Sequence, residues 1–457
     1  MASPKEERPV AALLAPDILE LLDESPGDVA AETEELHPAD LADVAAALPR
    51  ERLAQLMRVL PPARAADVLE YLDEELRAEL LEDLTARQAA ALVSEMTPDD
   101  RADTLEDLEE TKADEILSEI SGDTRGETER LLAYEPDSAG GLMTTEFVSV
   151  AEDSSVDEAL EIVRASARAG RQEAMYAIYA VDREGKLRGV FSVRELLAAR
   201  PGASVSDITW HDVVSAAASA DREEVARLTS KYDLVAVPVV DASGRLLGVV
   251  TVDDVIDAIV EEQTEDVQRL GAVEPLEAPY FQASFWSIAR KRAGWLVLLF
   301  AAELLTATAM ARYEATLTSA LVLVFFVPLI ISSGGNSGSQ SATLITRALA
   351  VGDVELRHAA RVLTREGLQG LALGAFLGVF GFARVMLGGE STMVALVVGL
   401  TLLAVVVTGT LVGATLPLVF TRLGFDPAIA SSPFVASFVD VAGIIIYFSI
   451  AARLLTS

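Results

Sequence analysis

The sequence predicts a multidomain, mainly α-helical protein: an α-helical solenoid, a tandem α+β module, a connector helix and a five-helix transmembrane domain. Three observations predict it. Charge divides the 457 residues in two: residues 1–284 hold 25 Lys and Arg against 63 Asp and Glu, net −38, whereas residues 285–457 hold 11 against 8, net +3. Five apolar stretches lie in the second part, and two internal repeats of different period lie in the first. The implied boundaries are 1–133 for the acidic helical repeats, 134–200 and 201–260 for the two module copies, 261–284 for the connector, and 285–457 for the membrane domain.

Residues 37–120 repeat at a spacing of 24: Ala42-Asp43-Val44 matches Ala66-Asp67-Val68, and Leu48, Leu72, Met96 and Ile120 fall in register. Each unit reads as a pair of short amphipathic helices, and stacked helical pairs form a solenoid. A second duplication follows, in which "YAIYAVDREGKLRGVFSVRELLAA" (176–199) matches "LVAVPVVDASGRLLGVVTVDDVIDAI" (234–259). Asp182 and Asp241 are 59 apart, as are Gly189 and Gly248. Each copy reads strand, Asp-plus-Gly turn, strand, then helix. Next, "VDDVIDAIVEEQTEDVQRLGAV" (252–273) is an acidic amphipathic helix running toward the membrane. Like charges at spacings of three and four destabilise an isolated helix, so this one calls for a compensating partner, which divalent cations would provide.

A membrane-crossing helix needs about 20 mostly apolar residues. Five stretches qualify, at roughly 293–311, 318–343, 367–388, 392–420 and 428–452. The N-terminus lacks a basic-then-apolar signal pattern, so the front is expected in the cytoplasm and the C-terminus outside. Arg290, Lys291, Arg292, Arg347, Arg357, Arg361, Arg365 and Arg422 then fall inside, against Arg312, Arg384 and Arg453 outside. That asymmetry supports the orientation.

Two of these stretches carry unexpected polarity. "VPLIISSGGNSGSQSATLI" (327–345) combines Pro328, Gly334, Gly335 and Gly338 with Asn336 and five serines. Small residues suit close helix packing, and irregular polar backbone suits a water-lined path; both readings stand, with the path favoured. Asp440 lies within the apolar run "SPFVASFVDVAGIIIYF" (432–448), with no Lys or Arg within a dozen residues. A charge at the centre of a spanning helix costs about 2.5 kcal/mol or more, so this acid is expected to act. Binding a cation is the simplest role, because acid rings and carbonyls are common filter materials. One Asp per chain makes a ring only in a symmetric oligomer. Glu303, in the first stretch, either lines the same path or hydrogen-bonds a neighbouring helix while protonated.

Composition also excludes classes. A net −38 front half does not suit nucleic acid, whose phosphates need clustered cations. Absence of cysteine removes disulfides and thiolate metal sites. No His falls on a predicted span, and no nucleophile–base constellation is visible, so an enzyme is not expected.

The second duplication resembles the cystathionine-β-synthase (CBS) domain. With the acidic repeats, "YEPDSAGGLMT" (134–144), the acidic connector, "SGGNSGSQSATLITRALA" (333–350) and "DPAIASSPFVASFVD" (426–440), nearly the whole chain resembles the MgtE family of magnesium channels. The resemblance implies a homodimer in a bacterial inner membrane, its pore lined by the second and fifth spans. Asp440 matches the pore acid that holds hydrated Mg²⁺, with the Ala436 carbonyl facing the ion and Gly334, Gly335, Asn336 and Gly338 lining the pore. Regulatory Mg²⁺ is implied at Asp67, Asp99 and Asp103 of the repeats, and at Glu223 and Asp233 of the CBS module. Asp254, Asp257, Glu262, Glu265 and Asp266 at and along the connector (the plug helix), and Asp426 at the membrane face, complete that set. Bound there, cytosolic Mg²⁺ would hold the pore closed. Asp67 looks like a Glu-to-Asp change, and Ser339 stands where the family often shows Asn. Some members bind ATP in the CBS module through aromatic residues and an Arg-Asp pair; here Ala177, Leu234 and Arg194-Glu195 occupy those positions, so nucleotide binding is doubtful. The rival readings are a cation-coupled secondary transporter with a CBS sensor and a non-transporting metal sensor. Odd span number and no visible inverted repeat weigh against the first.

Overall fold

The computed structural model describes residues 9–168, 177–200, 202–276, 280–281, 283–313 and 321–455. Residue 176, which opens the first duplicated segment, and residues 318–320 of the second apolar stretch lie outside these. The chain divides into two compact units, Met1–Ile259 and Val260–Ser457.

In the first unit, the period of 24 is a period of helices. Pro38–Ala47, Pro62–Glu70, Ala86–Val93 and Glu110–Glu119 start 24 residues apart, and so do Arg50–Val59, Glu74–Asp83, Pro98–Glu106 and Gly122–Leu131. Pro38, Pro62 and Pro98 take the first helical position, where the missing N–H has no intrahelical partner to lose. Helices of eight to ten residues are marginal alone in water, so stacking must hold them. Leu48, Leu72, Met96 and Ile120 each sit just past the first helix of a pair, buried in one apolar core.

Each module copy is strand–helix–strand–strand–helix. The first comprises β1 (Val148–Ala151), helix Val156–Arg168, β2 (Ile178–Val181), β3 (Leu187–Phe191) and helix Val193–Ala198. The second comprises β4 (Ala216–Ala217), helix Arg222–Tyr232, β5 (Ala236–Val240), β6 (Leu246–Thr251) and helix Val252–Leu270. In both, the first strand pairs parallel with the second, and the second antiparallel with the third. Asp182 Oδ1 accepts the N–H groups of Glu184 and Lys186, and Asp241 Oδ1 those of Ser243 and Arg245. The turn glycines are Gly185 and Gly244, at φ 79° and 82°. Gly189 and Gly248 do a different job: a Cβ there would fall 2.7 Å from the Trp210 carbonyl oxygen and 2.6 Å from that of Thr144.

Among the described residues of the second unit, five helices are long and apolar enough to cross a membrane: Phe285–Arg312, Leu321–Ala350, Leu356–Leu387, Thr392–Arg422 and Ser432–Leu455. The fourth is central, packing against the second, third and fifth, while the first lies on the fifth. Glycines set these approaches. Gly409 and Gly413 of the fourth helix face the backbone of Gly334 and Gly338 of the second; added Cβ atoms would lie 2.4 and 2.1 Å from those carbonyl oxygens. Gly370, Gly374 and Gly378 likewise bring the third helix against Val407, Leu403 and Gly399. Small residues four apart let backbones meet and gain dispersion contact where lipid offers no hydrophobic drive.

Candidate functional site

Asp440 is the ninth residue of the 24-residue helix Ser432–Leu455, so it lies well inside the span. It is half-buried in the single chain, one turn beyond the half-buried Ala436. The second helix passes this pair at Gly335, where an added Cβ would lie 3.4 Å from Ala436 Cβ and 3.6 Å from Asp440 Oδ1. The polar second span and the acid of the fifth therefore meet. Glu303 is exposed on the first helix, which packs against the fifth.

The four pore-lining candidates divide. Gly334 and Gly338 are buried against Val405, Val439, Gly409 and Val435, and Gly335 is buried against the fifth helix. In the single chain these three serve close packing, the weaker of the two readings the sequence allowed. Asn336 is exposed, its amide donating to Ser332 Oγ at 3.2 Å. Gly packing on one side of this helix thus leaves Ser332, Asn336 and Gln340, four residues apart, exposed.

In the first unit, acids from three helices share one patch. Glu70 ends Pro62–Glu70, Asp99, Asp100 and Asp103 lie on Pro98–Glu106, and Asp253, Asp254 and Asp257 open Val252–Leu270. Burial and then the charge of Asp100 push the Glu70 carboxyl up to about 8. Burial and then Asp99 push Asp254 up to about 9. Burial raises Asp100 as well, with Asp253 and Asp257 adding to it and Thr97 and Arg77 opposing. Asp103 is more open to solvent, yet loss of hydration and then Asp99, Asp100 and Glu106 act upward on it too. Asp67 and Asp257 are raised mainly by burial. Arg64 and Arg77 offset this patch only in part, so it favours held protons or bound cations. Its donors are all hard oxygens, which suits Mg²⁺. Among the described residues no three acidic or imidazole groups converge as a closed metal cage. Glu70 and Asp100 were missed from sequence, whereas Asp253 is one of the acids that crowd the connector helix in the sequence.

Glu223 and Asp233 do not come together. They stand at opposite ends of helix Arg222–Tyr232, whose 11 residues span roughly 16 Å. One ion cannot be shared by both within this chain.

Glu195 and Asp254 are equivalent in the duplication, 59 apart, and both cap the N-terminus of the last helix of their copy. Glu195 accepts from the Ser192 N–H and hydroxyl on one oxygen and from Trp210 Nε1, at 2.6 Å, on the other. Asp254 accepts from Thr251. Both Glu195 oxygens are therefore engaged at the position where the resemblance places a nucleotide-binding acid.

Within the second unit, Glu262, Glu265 and Asp266 lie on the outer part of Val252–Leu270. Arg269 donates to Glu265 at 2.6 Å and to Asp426 at 2.7 Å. Asp426 also accepts the Ala428 N–H at 2.7 Å, capping a short turn before the fifth helix. Asp266 is pushed up to about 6, by burial and then by Asp426 and Glu262, with Arg269 and Arg347 opposing. The sequence reading named the acids here and missed Arg269.

Five candidate spans with acids inside them, joined to a duplicated α+β module and an acidic helical domain, define a membrane protein built to handle cations. Comparison agrees. A divalent cation transporter model, MgtE, matches residues 327–450, the MgtE intracellular N domain matches 36–137, and CBS domains match 139–202 and 205–261. The chain is 44% identical to the magnesium transporter MgtE of Thermus thermophilus over 72% of each chain. It is 36% identical to that of Enterococcus faecalis over 71% of each. Among solved structures, the soluble part of a magnesium transporter covers 56% of this chain and 99% of its own, at 32% identity and TM-score 0.52. The cytosolic domain of the Mg²⁺ channel MgtE in complex with ATP covers 53% and 99%, at 40% identity and TM-score 0.51. The chain belongs to the MgtE family.

Proposed function

We propose that this protein is a magnesium channel of a bacterial inner membrane, working as a homodimer and closed from the cytosolic side by Mg²⁺ itself. The observation that carries the reading is the meeting of Asp440 with the polar second helix at Gly335. Two copies around a two-fold axis would bring two Asp440 carboxylates and two Ala436 carbonyls to one hydrated ion. Mg²⁺ dehydrates reluctantly, so contact through its water shell suits a carboxylate pair. Asn336 and its exposed neighbours supply further polar groups to the path.

The acid patch of the first unit and the Glu262–Glu265–Asp266–Asp426 group supply the gate. Mg²⁺ closes the pore if it binds the compact arrangement better than a splayed one; equal affinity would shift nothing. The N-terminal units are then cytoplasmic and the C-terminus outside. The rival reading, a cation-coupled transporter, draws on Glu303 as a second acid within the spans, on the helix that packs against the one bearing Asp440. Reconstitution in liposomes, with uptake and current recorded across a panel of divalent cations at fixed pH, tests both. Mg²⁺ current without a proton or sodium gradient supports the channel, and strict dependence on such a gradient overturns it.

A further inference from the structure

The third helix carries an acid that the proposed path does not use. Glu366 is buried, and Ser341 of the second helix donates to its Oε2 at 2.6 Å. The sequence places the start of this span at roughly 367, just after Glu366; the structure carries it back to Leu356, through a 3-10 turn that leads into the α-helix at Ala359. One helical turn away on both partners lies an apolar cluster. Val362 precedes Glu366 by four residues and Ile345 follows Ser341 by four; both pack with Ala414 and Leu418 of the fourth helix. Residues four apart share a helix face, so this cluster caps the Glu366–Ser341 pair on one side. On the other side, Gly370 packs against Thr410 and Val407. The pair is thus buried, with apolar side chains on one side and Gly370, Thr410 and Val407 on the other.

The second and third helices otherwise touch little, each resting chiefly on the fourth. A hydrogen bond to an acid in such a place is strong and costly to lose. Ser341 lies five residues beyond Asn336 on the helix that passes Asp440 at Gly335. Fixing Ser341 therefore fixes the rotation of the polar stretch against the fifth helix.

We propose that Glu366 is a positioning residue that clamps the second helix through Ser341 and so holds the polar stretch in register with Asp440. The role in conduction rests on the channel reading above; the clamp itself does not. The test compares full-length parent, Glu366→Ala, Glu366→Gln, Ser341→Ala and the Glu366→Ala/Ser341→Ala double variant in liposomes. Mg²⁺ uptake per folded protein and the thermal unfolding midpoint are measured on each. Both alanine variants should lose uptake by about tenfold, the scale of one buried polar group left without its partner. The double variant should be no worse than the poorer single in both measurements. Gln keeps an acceptor oxygen, so Glu366→Gln should retain most uptake. Additive losses, parent-like Ser341→Ala, or Glu366→Gln as damaged as Glu366→Ala would overturn the clamp. A parent that passes no Mg²⁺ would overturn the channel reading alone, because non-additivity in the unfolding midpoint still decides the clamp.

Discussion

Arg269 holds two acids at once, Glu265 one turn earlier on its own helix and Asp426 in the turn before the fifth span. A fixed side-chain cation thus occupies part of a group of acids that the family resemblance assigns to Mg²⁺. Arg269 and Arg347 both act against the mutual repulsion of Asp266, Asp426 and Glu262, and Arg269 does so through a direct ion pair with Asp426.

Replacing Arg269 by Gln should therefore loosen the connector only when Mg²⁺ is scarce. The pair is partly exposed, and such pairs contribute up to about 1 kcal/mol. Protease cleavage near residue 270 should accelerate roughly two- to fivefold in chelator, by that energy scale. At saturating Mg²⁺ the variant and parent should be cleaved alike. Equal cleavage in chelator would show that Arg269 holds nothing.

Asp440→Ala should abolish most Mg²⁺ current while leaving the protein folded and its oligomeric state unchanged. Asp440→Asn should also impair it, because the charge and not the volume is proposed to bind the ion. Single-channel recording with size-exclusion profiles checks both. Full current in the two variants would remove Asp440 from the pore.

Raised carboxyls give a pH dependence with a definite sign. Glu70 at about 8 and Asp254 at about 9 bind protons in the compact fold that an unfolded chain releases near the ordinary carboxylate value. Their contribution to the stability of the Mg²⁺-free cytosolic unit is therefore fully present below the ordinary carboxylate range and is lost as pH rises toward 8–9. Mg²⁺ competes with those protons, so its stabilising effect should grow over the same window. Unfolding midpoints of the full chain with and without Mg²⁺, at pH 6 and pH 9, measure this. A Mg²⁺ effect that is equal at both, or larger in acid, would contradict the metal-binding role of the patch.

The CBS pair should bind ATP weakly. At the positions where the resemblance implies aromatic residues against adenine, Ala177 and Leu234 offer no ring to stack on. Glu195, in the acidic position, already spends both oxygens on Ser192 and Trp210. Calorimetry of the full chain with ATP checks this against the relative whose cytosolic domain was crystallised with ATP. Tight binding that also moves the Mg²⁺ sensitivity would show that Glu195 exchanges its partners.

The solenoid, the duplicated hairpins and five spans were all legible in the sequence, because each rests on a period: 24, 59, or a run of apolar residues. Periods reveal which residues share a core, as Leu48, Leu72, Met96 and Ile120 do. They do not reveal which cores or faces touch. Arg269 with Asp426 and Glu366 with Ser341 join residues 157 and 25 apart, with no pattern linking them. The glycines of the second helix were visible, but their partners Gly409 and Gly413 were not, so packing and path could not be told apart. β1 and β4 escaped because strands of four and two residues carry too little alternation to read.

Neutralising Asp254, Glu262, Glu265 and Asp266 together tests the gate. The change removes proposed Mg²⁺ ligands, which favours opening, and also removes like-charge repulsion, which favours compaction without metal. Arg269 sharpens the contest: losing Glu265 leaves it paired with Asp426 alone. The ligand effect should win. One divalent cation bridges several acids at short range, whereas salt screens the diffuse repulsion of a net −38 half beyond about 10 Å. The quadruple variant should therefore stay open at cytosolic Mg²⁺ levels that close the parent, raising the half-closing concentration about tenfold or more if even one shared ion is lost (a loss near 1.4 kcal/mol). Single-channel recording with Mg²⁺ titrated on the cytosolic face, alongside protease protection of the soluble half, measures both sides of the balance. Closure at the parent's Mg²⁺ concentration would mean that these acids are a solvated face, and that the sensor lies elsewhere.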